Sequence, residues 1–146
     1  NSNGQLVISG RIDHLNKFVD DLKNLRIKNI TLPVSGPFHC ELMNKATIKM
    51  ESEIKKLKFN ISENTLISNV TANEMKNPEE IKKLLIKQIE SRVRWRESII
   101  YMIKKGVNHF IEIGPGKVLS GLVKRINKDV KIDTINSESD INNLRI

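Results

Sequence analysis

The chain has 146 residues and carries 25 Lys and Arg against 17 Asp and Glu, a formal net charge of +8. That length suits one domain of ordinary size. No apolar run approaches the length of a membrane span, no basic-then-apolar leader opens the sequence, and a single cysteine excludes a disulfide framework. With only three histidines beside that cysteine, little is left for a structural zinc site.

Apolar residues make up 38% of the chain and recur with clear periods, which predicts a folded protein. Residues 5–9 read as a short strand of branched residues closed by Gly10. Residues 11–25 read as a helix, because Leu15, Phe18, Val19, Leu22 and Leu25 keep to a helical stripe. Residues 29–34 read as a second strand. Ser35-Gly-Pro-Phe-His39 is a turn-forming break. A long helix is expected over 41–58, with Met43, Ala46 or Thr47, Met50, Ile54 and Leu57 on its inner face. Residues 65–70 are a strand candidate. Asn77 before Pro78 reads as an N-cap with proline at the first helical position. That helix runs to about residue 89 on Ile81, Leu84, Leu85 and Ile89. A further helix is expected over 93–105, with Trp95, Ile99, Met102 and Ile103 inward and Gly106 as its stop. Residues 107–113 form a buried strand, 114–116 a tight turn, 117–127 a helix and 130–135 a last strand. The polar tail from 136 to 146 is expected to be weakly held. Strands alternating with helices define an α/β chain with a mainly parallel sheet. The opening strand–helix–strand needs further strands to cover its edges, so the chain reads as beginning in mid-fold.

The basic charge raises nucleic acid as a partner. Against it, Lys, Asn and Ile number 18, 16 and 21, the pattern of an A+T-rich coding sequence. The basic residues form no block, and the six aromatics (Phe18, Phe38, Phe59, Trp95, Tyr101 and Phe110) are not interleaved with basic clusters. No nucleic-acid partner is expected.

Among the chemically active residues, His39 stands first. It lies in a loop between a strand end and a helix, where catalytic groups tend to sit, and histidine moves protons near neutral pH. Filling or capping the loop is the competing role. Cys40 is its neighbour in sequence, and neighbours project in different directions, so a Cys–His dyad is not expected; Cys40 reads as a small buried residue. Ser9, Ser35 and Ser120 each precede a glycine, yet none completes the Gly-x-Ser-x-Gly elbow that a serine nucleophile uses. Gly114-Pro-Gly-Lys117 sits at a strand-to-helix corner that resembles a phosphate site, but it matches neither the P-loop nor the dinucleotide fingerprint, and a close turn is its simpler reading. His109 and His14 read as structural or exposed. Glu79 and Glu80 occupy the first turn of a helix, where they answer the dipole.

Taken together, Leu32-Pro-Val-Ser-Gly-Pro-Phe-His39, Leu42-Met43, Ser68-Asn-Val-Thr71, Gln88, Val93-Arg-Trp95, Gly106-Val107 and Glu112-Ile-Gly-Pro-Gly-Lys-Val-Leu-Ser-Gly-Leu122 resemble the C-terminal part of the malonyl-CoA:acyl-carrier-protein transacylases of type II fatty acid synthesis. The opening residues 1–10 are similar to that family's Asn-x-Pro-Gly-Gln stretch, with Asn3 in place of the proline. The resemblance runs from residue 1 to about 133.

It implies a fold in which 1–34 are the second half of a ferredoxin-like subdomain and 35–146 are the C-terminal part of a hydrolase-like α/β core. It implies an acyltransferase that moves malonyl from malonyl-CoA to the phosphopantetheine thiol of acyl carrier protein through an acyl-serine. His39 would be the general base, oriented by the backbone carbonyl at Gln88, and Phe38 would shape the substrate pocket in favour of malonyl. A methyl group's difference in a pocket is worth only about 1–3 kcal/mol, so that selectivity is a preference. No metal or redox cofactor is implied, the coenzyme A thioester being substrate, and no membrane partner. The family's nucleophilic serine and carboxylate-binding arginine lie upstream of the matching segment; Arg92, Arg94 and Arg96 are not assigned to that role. The upstream half of the same enzyme is therefore an expected partner, and the chain alone is expected to be inactive. The alternative is a non-catalytic fragment or paralogue that docks the carrier protein. The compartment would be the cytoplasm for a bacterial source and the plastid for an apicomplexan one.

Overall fold

The structure, a computed structural model, describes residues 1–144. The chain forms two compact units. One comprises residues 7–70 and 74–93; the other comprises 1–6, 71–73 and, of the described residues, 94–144.

The first unit opens with α1, Ile12–Asn24. Asp13 lies in its first turn and Lys23 in its last, as the helix dipole favours. Its stripe half-buries Leu15, Val19 and Leu22, while Phe18 and Leu25 stay exposed. The helix ends where Arg26 turns left-handed (φ 55°) and Ile27 N–H donates to the Leu22 carbonyl at 2.8 Å. A 3-10 turn, Glu41–Met43, leads into α2, Asn44–Lys56. Only Ile54 of the expected inner face is buried there; Met50 and Leu57 remain exposed. Strands β1, Leu66–Ile67, and β2, Glu74–Met75, pair antiparallel. The helix α3, Pro78–Lys87, starts as its sequence requires: Asn77 Oδ1 accepts from Glu80 N–H at 2.9 Å, and the Glu80 carboxylate accepts from Lys76 N–H at 2.7 Å. Ile81 and Leu84 of α3 are buried.

The second unit holds α4, Trp95–Lys104, β3, His109–Ile113, α5, Val118–Ile126, β4, Lys131–Ile135, and α6, Glu138–Asn143. Strands β3 and β4 are parallel, in register from His109 opposite Lys131 to Ile113 opposite Ile135. Parallel neighbours need a crossover, and α5 supplies it. The core is Ile99, Val123 and Val130, with Trp95, Met102, Ile103, Phe110, Ile126 and Ile132 packed around it. Gly106, at φ 94°, ends α4: its N–H donates to Ile103 and that of Val107 to Met102, each at 3.0 Å.

Several expectations are corrected. Neither 5–9 nor 29–34 is a strand; a single bridge between Ser2 and Gln5 is all that forms near the start. A strand exists only when another edge pairs with it, and beyond that local bridge at Gln5 nothing among the described residues forms a ladder with these stretches. Their branched side chains stand in solvent, with Ile30 75% and Val34 61% exposed. The strand expected over 65–70 is cut to two residues, because Val70 N–H bonds the Ser68 hydroxyl at 3.1 Å and turns the chain. Among the described residues the pairing is one five-residue parallel pair and one two-residue antiparallel pair, so it is mainly parallel but small. The tail, expected to be weakly held, forms α6, whose Ser137 and Asp140 make a reciprocal capping box; its last two residues, 145 and 146, lie outside the described residues. No helix among the described residues is long and apolar enough to cross a membrane.

Ile99, 1% exposed, anchors the second unit. Ile99→Ala should cost about 2–5 kcal/mol in denaturant unfolding, whereas Asn77→Ala, which removes one cap, should cost about 1 kcal/mol. Equal losses would show that the core assignment is wrong.

Candidate active site

The residues singled out at Phe38, His39 and Gln88 all lie in the first unit. Nδ1 of His39 is 3.0 Å from the backbone carbonyl of Gln88. A carbonyl oxygen only accepts, so Nδ1 carries the proton and the neutral ring presents its lone pair at Nε2. Gln88 is the C-cap of α3, where the last carbonyls of a helix lack intrahelical donors. One such carbonyl is thus put to use by the imidazole.

The backbone of His39 is left-handed, at φ 63°. That region is disfavoured by roughly 1–2 kcal/mol for a side-chain-bearing residue, so neighbouring contacts must hold it. Cys40 supplies one: its Sγ donates to the Pro37 carbonyl at 3.2 Å and accepts from the Ser9 hydroxyl at 3.7 Å. The thiol, expected to be buried, is only half-buried. A second tie joins Asn44 Nδ2 to Glu90 Oε1 at 3.2 Å. Phe38 is exposed, and its ring lies over Gly36: a Cβ on that glycine would stand 3.4 Å from the ring's Cζ. Gln88 also uses its side chain, whose Oε1 accepts from Asn69 Nδ2 at 3.3 Å. Asn69 and Gln88 line a cleft of about 270 Å³ with Ile67, Ser68, Met75, Leu84 and Leu85. Asn44, Asn69 and Glu90 carry no local signature that marks them out; Asn69 stood in a quoted motif without a role.

The other candidates have structural tasks. Glu112 of β3 reaches the N-terminus of α5, accepting from Leu119 N–H at 3.1 Å and Ser120 N–H at 2.7 Å. The Ser120 side chain, and then those N–H groups, hold the Glu112 carboxyl below its ordinary value. The corner at Gly114-Pro-Gly-Lys117 is therefore already filled by the chain's own anion, which accounts for it as a close turn. His109 bonds Asp133 across the parallel pair, Nε2 to Oδ2, at 2.6 Å. Arg94 donates to the Thr71 carbonyl at 3.2 Å and Arg96 to Asn3 Oδ1 at 2.6 Å. His14 is exposed beside Asp13. Among the described residues no cluster of His, Cys, Asp or Glu is arranged to hold a metal ion.

No protein-family model matches the chain. Among solved structures, an acyl carrier protein S-malonyltransferase from Vibrio cholerae superposes with a TM-score of 0.86 at 36% identity, covering 93% of this chain and 45% of that one. A malonyl-transacylase solved in complex with its type II PKS acyl-carrier protein gives 0.84 at 30% identity, covering 90% and 43%. The fold is thus an α/β one shared with the malonyltransferases. By sequence, the malonyl CoA-acyl carrier protein transacylase of Staphylococcus aureus (strain COL) is 40% identical over 142 residues, 97% of this chain and 46% of the relative. That of Bacillus subtilis (strain 168) is 45% identical over 132 residues, 90% of this chain and 42% of the relative. The chain is homologous to part of the malonyl CoA-acyl carrier protein transacylases, and spans a little under half the length of these relatives.

His109 holds the Asp133 carboxyl below its ordinary value, with Lys131 adding to the effect. A carboxyl depressed on folding stabilises above its unfolded pKa, and the contribution is lost as pH falls through the lower folded value. Asp133→Asn should therefore weaken the second unit at neutral pH and reduce its further loss of stability in acid. Thermal melts from pH 7 down to pH 2 read both effects; parallel curves would show that the pair contributes nothing.

Proposed function

We propose that this chain is the histidine-bearing C-terminal part of a malonyl transferase that carries malonyl from malonyl-CoA to the phosphopantetheine thiol of acyl carrier protein in fatty acid synthesis. The single observation that carries the assignment to particular residues is the bond from Nδ1 of His39 to the Gln88 carbonyl, which leaves Nε2 as the acceptor. The homology supplies the reaction class.

In this reading the serine, on the upstream half of the enzyme, attacks the thioester carbonyl while Nε2 of His39 takes its proton. The tetrahedral centre collapses, the C–S bond breaks, and the imidazolium returns the proton to the departing coenzyme A thiolate. The carrier-protein thiol then attacks the acyl-serine, His39 accepts that thiol's proton, and the serine oxygen leaves with it. The Gln88 carbonyl holds the ring through both halves, in the place a carboxylate takes in serine–histidine–aspartate enzymes. Phe38 borders the acyl group beside the base. Residues 1–34 belong to a ferredoxin-like subdomain and the rest to a hydrolase-like core. The upstream half pairs with the stretches at 5–9 and 29–34, whose branched residues stand exposed here. The +8 charge suits two acidic substrates and predicts salt-sensitive association. A bacterial enzyme of this kind would work in the cytoplasm and an apicomplexan one in the plastid.

The test is acylation followed by intact-protein mass. The 146-residue chain alone should gain no malonyl group from malonyl-CoA. Joined to an upstream half bearing the serine, it should gain one and pass it to acyl carrier protein. His39→Ala in the joined enzyme should slow transfer by roughly 10²–10⁴-fold. Transfer at the original rate after that substitution would rule His39 out as the base. A joined protein that binds the carrier without ever acylating would favour the docking fragment instead.

A further inference from the structure

Gln88 offers two groups to the first unit, and they serve different neighbours. Its backbone carbonyl holds the imidazole of His39; its side-chain Oε1 accepts from Asn69. The peptide that bears the carbonyl is weakly determined by α3 itself. The Gln88 N–H still bonds Leu84 at 3.0 Å, but the next residue, Ile89, makes only a longer bond to Ile86 at 3.3 Å, so regular helical bonding stops at this plane. A side-chain tie at Gln88 is then a real addition to what fixes the carbonyl's direction.

Asn69 is well placed to give it. It lies one residue beyond β1, after Ser68, which is 3% exposed and whose hydroxyl accepts from the Val70 N–H. The turn that presents the amide is thus pinned on both sides of Asn69. The pair also lies among Ile67, Met75, Leu84 and Leu85, and apolar surroundings strengthen a satisfied hydrogen bond. Neither amide titrates, so the tie holds across the pH range in which a histidine changes charge.

We propose that Asn69 is a positioning residue for His39, acting through Gln88: its amide fixes the residue whose carbonyl sets the orientation and tautomer of the imidazole. The proposal rests on the reading of His39 as the base, but its test does not need catalysis. Only three histidines are present, so ring ¹⁵N spectra of the full chain resolve His39 readily. In the unaltered chain the neutral ring should be predominantly the Nδ1–H form. Asn69→Leu should shift the ratio toward Nε2–H by about two- to tenfold, the size of one neutral hydrogen bond. Gln88→Leu leaves the backbone carbonyl in place and should give the same shift, testing the tie from its other side. The swapped pair Asn69→Gln with Gln88→Asn keeps the combined length and should restore the ratio. In the joined enzyme, Asn69→Leu should lower kcat by a similar factor with KM unchanged.

An unaltered ratio in either folded Leu variant would overturn the proposal. So would a swapped pair no better than the Leu variants, since packing rather than the amide tie would then hold the ring. These outcomes are separable from failure of the functional reading, which shows as undiminished transfer in His39→Ala.

Discussion

The first unit is organised around one requirement: an imidazole must meet a backbone carbonyl 3.0 Å away. The carbonyl comes from the end of α3, so that helix must stop at Gln88, and its start is set firmly by the Asn77 cap and Pro78. The ring comes from a loop whose backbone is left-handed at His39. Such a conformation persists only where surrounding contacts outweigh its cost. The Cys40 thiol, the Ser9 hydroxyl and the Asn44–Glu90 bond provide them. Each is a modest interaction. Their joint effect is to leave one ring nitrogen committed and the other open.

The second unit follows a different logic. Its two parallel strands and crossover helix surround a small apolar core, and polar side chains settle the ends. Glu112 leaves β3 and closes the amino end of α5, and His109 clasps Asp133 across the strands. Polar groups are here spent on architecture, as the strand position of His109 led one to expect. A carboxylate at a helix start answers both the free N–H groups and the dipole, which suffices to explain its place.

Much of this was legible in the sequence because it was local. Helix starts and stops at Asn77, Pro78 and Gly106 depend on residues within a turn of each other. The apolar stripe of Trp95, Ile99, Met102 and Ile103 is periodic enough to show its inner face. What was not legible required partners distant in the chain. Residues 5–9 and 29–34 have the composition of strands, but composition does not supply an edge to pair with. The α2 face departs from its periodic pattern because Met50 and Leu57 keep the right period but stay exposed among the described residues. At the candidate site, His39 was visible from its loop, and Gln88 entered through resemblance alone, since a backbone carbonyl leaves no trace in the identity of its residue. Asn44 and Glu90 are 46 residues apart and Asn69 and Gln88 are 19 apart, with no motif joining either pair.

The left-handed backbone at His39 bears on what could replace it. Glycine adopts that conformation without the steric cost that a side chain carries. The imidazole offsets that steric cost through its bond to the Gln88 carbonyl, which glycine could not make. Glycine at this position would relieve the backbone and give up the tie between the loop and the end of α3, two effects of opposite sign on the same fold.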